Sequence, residues 1–333
     1  MSNKRPLVWI LDDEWENHEV EMQRYDDAGY DVKITRIQEL EKDLPVYGPI
    51  ANGVVAQIGF PCGKKVIDVL DNCRVIAISG VGFNHVDIEA AADKGIYVSN
   101  VPDYCMDEVS DHTVALLLHW MRRLTPFHKD VRENRKWDPL NITNIRRTRN
   151  VTVGLLGFGR IARKVAEKLQ AFGCRIIAHD KYVDVETFRK LNVECVSFDT
   201  LLEESEFLSL HVPLTPETKH IINEESFKKL PKGAYIVNTC RGGIINENDL
   251  VQAIRLGYIS GAGLDVLEQE PPNFDNPLIH MDEVLITPHS SYNSVESILE
   301  LRNRTCDLII EGVETGELQQ SLNGKEIENK ITR

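Results

Sequence analysis

The chain has no pair of cysteines at a C-x-x-C spacing, and its seven cysteines are scattered singly along the sequence. An odd, scattered set is typical of reduced thiols and does not fit a disulfide framework. No apolar run approaches the ~20 residues of a membrane span. The first apolar run covers only residues 7–11, and acidic residues follow it directly, so we expect no signal peptide. These absences favour a soluble, cytoplasmic protein.

Basic residues are fewer than acidic ones. Lys and Arg total 38 against 52 Asp and Glu, which gives a formal net charge of −14. Nucleic-acid binding usually needs a basic face, and anionic membranes attract basic segments, so we expect neither partner. The charge does not exclude a small anionic substrate, because one helix start and one guanidinium can bind a small anion on an acidic surface.

The length of 333 residues suggests two domains at about 150 residues each, and the pattern along the chain agrees. Short apolar runs alternate with helical patterns, which predicts βαβ units and parallel sheets. The first part predicts strands at 6–11, 30–36, 53–58, 74–78 and 95–99, with helices near 15–28, 62–70 and 86–94. A long apolar helix is expected at about 103–124, followed by a polar, basic connector up to residue 149.

A second α/β unit begins at Val151. Its predicted strands are 151–156, 174–179, 207–212, 233–239, 259–265 and 284–287. Its predicted helices lie near 160–172, 223–230 and 246–256. A last helical stretch is expected at about 293–312, before a polar tail.

The first strand of the second unit leads into the turn Gly157-Phe-Gly159-Arg-Ile-Ala162, a G-x-G-x-x-A motif between a strand and a helix. Gly157 permits a tight turn, Gly159 lets the backbone approach a pyrophosphate, and Ala162 allows close packing. The phosphates would lie on the N–H groups at the helix start, near Arg160 and Ile161.

Asp180 ends the next strand, 21 residues after Gly159. A carboxylate at this position binds the ribose hydroxyls and repels a 2′-phosphate. The pair of signals predicts an NAD site, with NAD preferred over NADP.

Three later segments end predicted strands at the same sheet edge: Val237-Asn-Thr-Cys-Arg-Gly-Gly243, Ala262-Gly-Leu-Asp-Val-Leu-Glu-Gln-Glu-Pro-Pro272 and Leu285-Ile-Thr-Pro-His289. Together with the glycine motif, His211-Val-Pro-Leu-Thr-Pro216 and Gly80-Val-Gly-Phe-Asn-His-Val-Asp87, these blocks resemble the D-isomer-specific 2-hydroxyacid dehydrogenase family. The resemblance runs from about residue 50 to 312 in the family's order.

The resemblance implies NAD-dependent reduction of a 2-oxo acid to a D-2-hydroxy acid, and the reverse. His289 matches the family's acid/base, and a histidine suits proton transfer because its reference pKa of ~6.5 lies near working pH. Glu270 matches the carboxylate that pairs with this histidine. Arg241 matches the arginine that binds the substrate, whose guanidinium can contact a carboxylate in two places.

The family also implies further binding residues. Besides the glycine motif, Asp180, Arg241 and His289, the cofactor side would include His211, Val212, Pro213, Thr218, Thr239, Cys240 and Asp265. Besides Arg241, the substrate side would include Val81, Gly82, Phe83, Asn84 and Tyr292. No metal site is expected.

The implied architecture is α/β, with a Rossmann NAD-binding domain, 102–291, inserted in a flavodoxin-like substrate domain, 1–101 and 292–333. The cleft between the domains would close on cofactor and substrate. Family members are commonly dimers, so we expect a homodimer to which the apolar helix contributes. The expected partner is a small anionic 2-oxo or 2-hydroxy acid.

Two alternatives stay open. Pro102–Asp111 and His289–Ser294 are similar to the branch that includes the eukaryotic C-terminal-binding corepressors, so an NAD(H)-responsive binding protein with little turnover is one. The other is a phosphoglycerate dehydrogenase, although Ile78 stands where many of those relatives have Arg.

Two smaller features have more than one interpretation. Cys240 beside Arg241 is either a reactive thiol or, as we favour, an inert small residue. His112 and His119 lie seven residues apart on one helix face; with an apolar run between them, they indicate a buried or interface helix rather than metal ligands.

Overall fold

The computed structural model describes residues 5–331 of the chain. The outermost ends of the expected substrate domain, residues 1–4 and 332–333, lie outside the described residues. The chain divides into two compact units, the first running up to Tyr104 and resuming at Ser294, and the second spanning Cys105–Asn293. The substrate-binding role expected of the first unit stays a prediction.

The first unit is a parallel sheet with helices along it. In chain order its elements are β1 (Leu7–Leu11), α1 (Glu19–Asp27), β2 (Asp31–Thr35), α2 (Leu40–Tyr47), β3 (Ala51–Gln57), α3 (Lys64–Ile67), β4 (Val75–Ser79), α4 (Ile88–Asp93) and β5 (Tyr97–Asn100). The strand order is β2-β1-β3-β4-β5. This is the order of the flavodoxin-like fold.

The second unit begins with two helices, α5 (Met106–Arg122) and α6 (Leu124–Arg132). The elements that follow are β6 (Thr152–Leu156), α7 (Arg160–Gln170), β7 (Arg175–His179), α8 (Val185–Lys190), β8 (Glu194–Cys195), α9 (Phe198–Glu204), β9 (Phe207–Leu210), α10 (Glu224–Lys229), β10 (Ala234–Asn238), α11 (Glu247–Arg255), β11 (Ile259–Leu264) and β12 (Val284–Ile286). Its parallel sheet has the order β12-β11-β10-β9-β6-β7-β8.

Read from the other edge, this order is that of the Rossmann fold, extended by one strand. The chain then returns to the first unit with α12 (Val295–Thr315) and α13 (Gly324–Ile331). The fold-class prediction, a Rossmann domain inserted in a flavodoxin-like domain, is confirmed. Among the helices of residues 5–331, none combines the length and apolar character that a bilayer crossing needs.

The core of each unit explains why these segments fold as they do. All residues of β4 and of β10 are buried, as expected of central parallel strands covered on both faces. Glycines allow close packing of helices on the strands. A Cβ on Gly312 of α12 would come within 2.7 Å of Val75 on β4, and one on Gly263 of β11 would lie 3.2 Å from Leu116 on α5.

The elements that the sequence pattern did not predict are short or exposed. They are α2, α6, α8, α9, α13 and β8. The connector expected after the long apolar helix contains α6, which buries none of its residues. β8 has two residues, both exposed, at the edge of the sheet.

Parallel strands bring their carboxyl ends to one edge of the sheet. In the second unit the strand order reverses between β6 and β9, and ligands of open α/β sheets bind outside the carboxyl ends at such a point. The residues singled out from the sequence of this unit follow β6, β7, β9, β10, β11 and β12.

Candidate active site

The glycine turn after β6 has the shape that a dinucleotide needs. Gly157 has a φ of +91°, and a Cβ there would lie 2.5 Å from the carbonyl oxygen of His211, so only glycine fits. Gly159 is exposed, and a Cβ there would meet nothing within 4 Å. α7 starts at the exposed Arg160 without a side-chain cap on its first N–H groups. A pyrophosphate can therefore approach this helix start, which fits NAD.

Asp180 lies directly after β7 and is fixed beside the glycine turn. One carboxylate oxygen, Oδ2, accepts a hydrogen bond from the backbone N–H of Phe158 at 2.8 Å. The other, Oδ1, accepts the N–H of Tyr182 at 2.8 Å. The carboxylate is thus held at the end of the second strand of the motif, where the sequence analysis places the ribose. Its role in choosing NAD stays a prediction.

The segment after β9 forms a wall of the glycine turn. Val212 Cγ1 would be 3.0 Å from a Cβ on Gly157. Burial lowers the pKa of His211 to about 4, so its imidazole is neutral at physiological pH. The hydroxyl of Thr218 donates to the carbonyl of Pro213 at 2.6 Å and so shapes the loop. His211 and Val212 therefore lie next to the glycine turn, and Pro213 and Thr218 are joined by a hydrogen bond in the loop that follows them.

A tight turn after β10 presents Arg241. The buried Asn238 spans this turn, because its Nδ2 donates to the carbonyl of Arg241 at 2.9 Å and its Oδ1 accepts the N–H of Cys240 at 3.1 Å. The guanidinium of Arg241 donates from Nη1 to the carbonyl of Cys240 at 2.6 Å. Thr239 bonds through its hydroxyl to Thr113 of α5 at 2.8 Å. The turn is fixed at several points, and Asn238 was not singled out from the sequence.

Cys240 is not an activated nucleophile. Burial raises the pKa of its thiol to about 11, and this effect outweighs the opposing influence of the neighbouring Arg241. The thiol donates to Asn238 Oδ1 at 3.1 Å. Because the thiolate is the reactive form, this favours the interpretation of Cys240 as an inert small residue.

His289 and Glu270 form a hydrogen-bonded pair. His289 lies three residues after β12, and its Nδ1 is 2.6 Å from Glu270 Oε2. The other carboxylate oxygen, Oε1, accepts the N–H of Leu267 at 2.9 Å. Burial acts to raise the pKa of Glu270, but the hydrogen bond and charge of His289 lower it below its usual range. Glu270 is therefore ionised at neutral pH and keeps a proton on Nδ1, which leaves Nε2 as the nitrogen that can transfer one.

Asp265, directly after β11, holds the segment that carries His289. Its buried carboxylate accepts the hydroxyl of Thr287 at 2.6 Å and the N–H groups of Ser290 and Ser291 at 2.8 and 3.0 Å. Its carbonyl accepts the N–H of His289 at 2.8 Å. His289 has a φ of +50°, a conformation that is uncommon for a residue with a side chain and is kept by these bonds.

Gly242 joins the turn of Arg241 to the loop of Glu270. A Cβ on Gly242 would lie 1.9 Å from the carbonyl carbon of Leu267 and 2.4 Å from the nitrogen of Glu268, which are backbone atoms. The two loops are therefore packed backbone against backbone. Gly242 is not among the residues predicted from the sequence, although the Gly-Gly pair after Arg241 is a signal for close approach.

The predicted substrate residues divide between the two units. Val81, Gly82, Phe83 and Asn84 follow β4 at the carboxyl edge of the first unit's sheet, and Phe83 and Asn84 are exposed. Tyr292 belongs to the second unit, and its ring lies edge-on to that of His289 with 6.5 Å between the centroids. Carboxylate binding by the 81–84 segment stays a prediction.

Comparison with known proteins points to one family. Residues 114–291 match the family described as D-isomer specific 2-hydroxyacid dehydrogenase, NAD binding domain. This range contains the glycine turn and the loops of Arg241, Glu270 and His289.

The relatives include enzymes that are named for 2-oxo acid reduction. The chain is 39% identical over 271 residues to a glyoxylate reductase from Thermofilum pendens, covering 79% of this chain and 78% of that protein. It is 38% identical over 263 residues to a hydroxypyruvate reductase from Thermotoga maritima, covering 78% and 84%. Among solved structures, a D-lactate dehydrogenase from Aquifex aeolicus in complex with NAD and lactic acid matches with a TM-score of 0.82 and 28% identity, covering 97% of this chain and 98% of that chain.

Proposed function

This chain belongs to the D-isomer specific 2-hydroxyacid dehydrogenase family and is an NAD-dependent reductase of 2-oxo acids, and we propose that Arg241, Glu270 and His289 carry out its chemistry. The observation that carries the proposal is the 2.6 Å hydrogen bond between His289 Nδ1 and Glu270 Oε2. A carboxylate in this position fixes one tautomer of the imidazole and stabilises its protonated form.

The proton step belongs to His289. NADH, when bound, supplies the hydride for the carbonyl carbon of the 2-oxo acid. His289 donates the proton on Nε2 to the carbonyl oxygen, and in the reverse direction it accepts this proton from the hydroxyl. Glu270 stays ionised and stabilises the ring in both states, because its lowered pKa keeps the carboxylate charged at neutral pH.

The substrate carboxylate is assigned to Arg241. Its guanidinium uses Nη1 to donate to the carbonyl of Cys240, which orients the planar group at the end of β10. A guanidinium held in this way can bind a carboxylate in two places and stabilise negative charge on the carbonyl oxygen. We assign the backbone N–H groups of Val81, Gly82 and Phe83, with Asn84 beside them, to the same carboxylate.

For the cofactor, the residues present fit NAD. The turn at Gly157 and Gly159 and the start of α7 would hold the pyrophosphate, and Asp180 would bind the ribose hydroxyls. Val212 and Thr218 lie on the side assigned to the adenosine. Thr239, Cys240 and Asp265 are assigned to the nicotinamide half.

The substrate is a small 2-oxo acid, in keeping with relatives that are named glyoxylate reductase and hydroxypyruvate reductase. The rate of NADH oxidation with glyoxylate, pyruvate, phenylpyruvate and phosphohydroxypyruvate tests this. We expect turnover with at least one unphosphorylated acid, and a loss on the order of 10² to 10⁴-fold in His289→Asn, because the proton donor is removed.

The matched control is His280→Asn, since His280 bonds to the carbonyl of Phe274 and is not part of the proposed machinery. We expect it to keep the wild-type rate. Absence of turnover with every acid would contradict the enzyme function and favour the NAD(H)-responsive binding protein. A clear preference for the phosphorylated acid would favour phosphoglycerate dehydrogenase.

A second prediction concerns the packing between the two catalytic loops. Gly242→Ala places a methyl group against the backbone of Leu267 and Glu268, so the loops must separate and Arg241 and Glu270 move apart. A displacement of about 1 Å can cost on the order of 10²-fold in rate, and we expect kcat/KM to fall by about that factor.

The neighbouring Gly243→Ala is the matched control. Its Cβ would contact only the side chain of Leu214, at 3.2 Å, which can adjust. We expect this variant to stay within about threefold of wild type, and urea unfolding of both variants checks that they fold. Equal activity of the two variants would contradict the role given to Gly242.

We assign a homodimer to the protein, formed in part by the second unit. The segment 124–140 exposes large apolar side chains: Leu124, Val131, Trp137 and Leu140. Trp137 is 88% exposed, and exposed apolar patches mark interaction sites.

We expect sedimentation at micromolar concentration to give a dimer. The double variant Trp137→Ser with Leu140→Ser should shift the equilibrium toward the monomer. The control is Tyr182→Ser, at a side chain that is 82% exposed and lies outside this segment. A monomeric wild type would contradict the assignment.

We assign the protein to the cytoplasm. All seven cysteines are free thiols, which fits a reducing compartment. Cell fractionation tests this, and recovery of the protein outside the cytoplasmic fraction would contradict it.

A further inference from the structure

Helix α5 contacts the segments that lead to His289 and to Arg241 through two consecutive side chains. His112 Nε2 lies 3.0 Å from the hydroxyl of Thr287, in the segment that leads to His289. Thr113 bonds to the hydroxyl of Thr239, in the turn that leads to Arg241. The sequence suggested only a buried or interface helix here, so these contacts are a finding of the structure.

The direction of these hydrogen bonds determines where His112 carries a proton. The hydroxyl of Thr287 has one hydrogen and donates it to the Asp265 carboxylate at 2.6 Å, because a carboxylate only accepts. The same hydroxyl must then accept a hydrogen bond from His112, so His112 is protonated on Nε2. His112 Nε2 also lies 3.8 Å from Asp265 Oδ1.

The chain of bonds ends at the catalytic histidine. Asp265 accepts the N–H groups of Ser290 and Ser291 through its carboxylate and that of His289 through its carbonyl. These bonds keep His289 at its φ of +50°. Without the donor on His112, the Thr287 hydroxyl keeps only its bond to Asp265, and the segment that leads to His289 loses one fixed point.

We propose that His112 is a positioning residue for the reduction, acting through Thr287 and Asp265 to hold His289 against Glu270. The proposal rests on the proposed function for its kinetic consequence, but its structural consequence can be measured in the protein without cofactor or substrate. His112 does not touch the reacting atoms. Its effect is transmitted by the direction of one hydrogen bond.

The direct test is the tautomer of His289 in the protein alone. Ring ¹⁵N chemical shifts, measured about two pH units above the histidine reference pKa of ~6.5, show which nitrogen holds the proton. In wild type we expect the proton of His289 on Nδ1, where it is bonded to Glu270. The signal of His289 is identified by its absence in His289→Asn. In His112→Ala we expect a mixture of the two tautomers, because the ring is no longer held against the carboxylate.

Rescue separates a positioning role from a structural one. His112→Gln keeps an N–H donor on a side chain of similar reach, so we expect it to restore the Nδ1 tautomer. Thr287→Val removes the hydroxyl and nearly keeps the shape of the side chain, so we expect the same mixture of tautomers as in His112→Ala. The double variant His112→Ala with Thr287→Val should show no larger effect than either single variant. His119→Gln, on the same helix, is the matched control and should match wild type.

Kinetics give the second readout. We expect His112→Ala to lower kcat by about 10-fold or more with KM for the 2-oxo acid within about threefold, and His112→Gln to recover most of kcat. The proposal is overturned if His112→Ala keeps the wild-type tautomer of His289, or if the Gln variant is as impaired as the Ala variant while both fold. If wild type shows no turnover but the tautomer responds as expected, the proposed function fails and the positioning role stands.

Discussion

The hydrogen bond between His289 Nδ1 and Glu270 Oε2 is the interaction on which the proposed chemistry depends. It joins residues from two different loops, one after β11 and one after β12, so it forms only when both strands are in register. The carboxylate is fixed in turn by the N–H of Leu267, and the imidazole by the bonds that Asp265 makes to its segment. A pair held at both partners keeps a defined tautomer without reorganising during the reaction.

The rest of the site follows from the geometry of a parallel sheet. Strand ends that meet at one edge bring together the glycine turn, Asp180, Arg241 and His289 from segments far apart in the sequence. Each group acts over a few ångströms, and the net charge of −14 does not decide what they bind. The start of α7 and the guanidinium of Arg241 are the anion sites that we propose on this acidic chain.

Those features of the fold and of the site that depend on local sequence patterns could be predicted. The spacing from Gly159 to Asp180, the alternation of apolar runs with helical patterns, and the strand-end blocks predict the fold class and the candidate residues. The contacts of Asn238, Gly242 and His112 could not be predicted from the sequence, because their partners depend on the backbone conformation or lie in distant segments. His112 and Thr287 lie 175 residues apart, and no pattern near either one indicates the contact. Helix α6 lies within the stretch interpreted as a polar connector, because its few apolar residues stand among basic ones, and it buries none of them in its own unit.

We expect the charge of Glu270, and not only its shape, to support proton transfer. The most direct measurement is kcat for reduction of the best 2-oxo acid by NADH in Glu270→Gln at neutral pH. Glutamine keeps the size and a hydrogen-bonding oxygen but lacks the negative charge that favours the protonated imidazole. We expect kcat to fall on the order of 10²-fold, with the Kd for NADH unchanged. A variant that reduces the acid at the wild-type rate would contradict it.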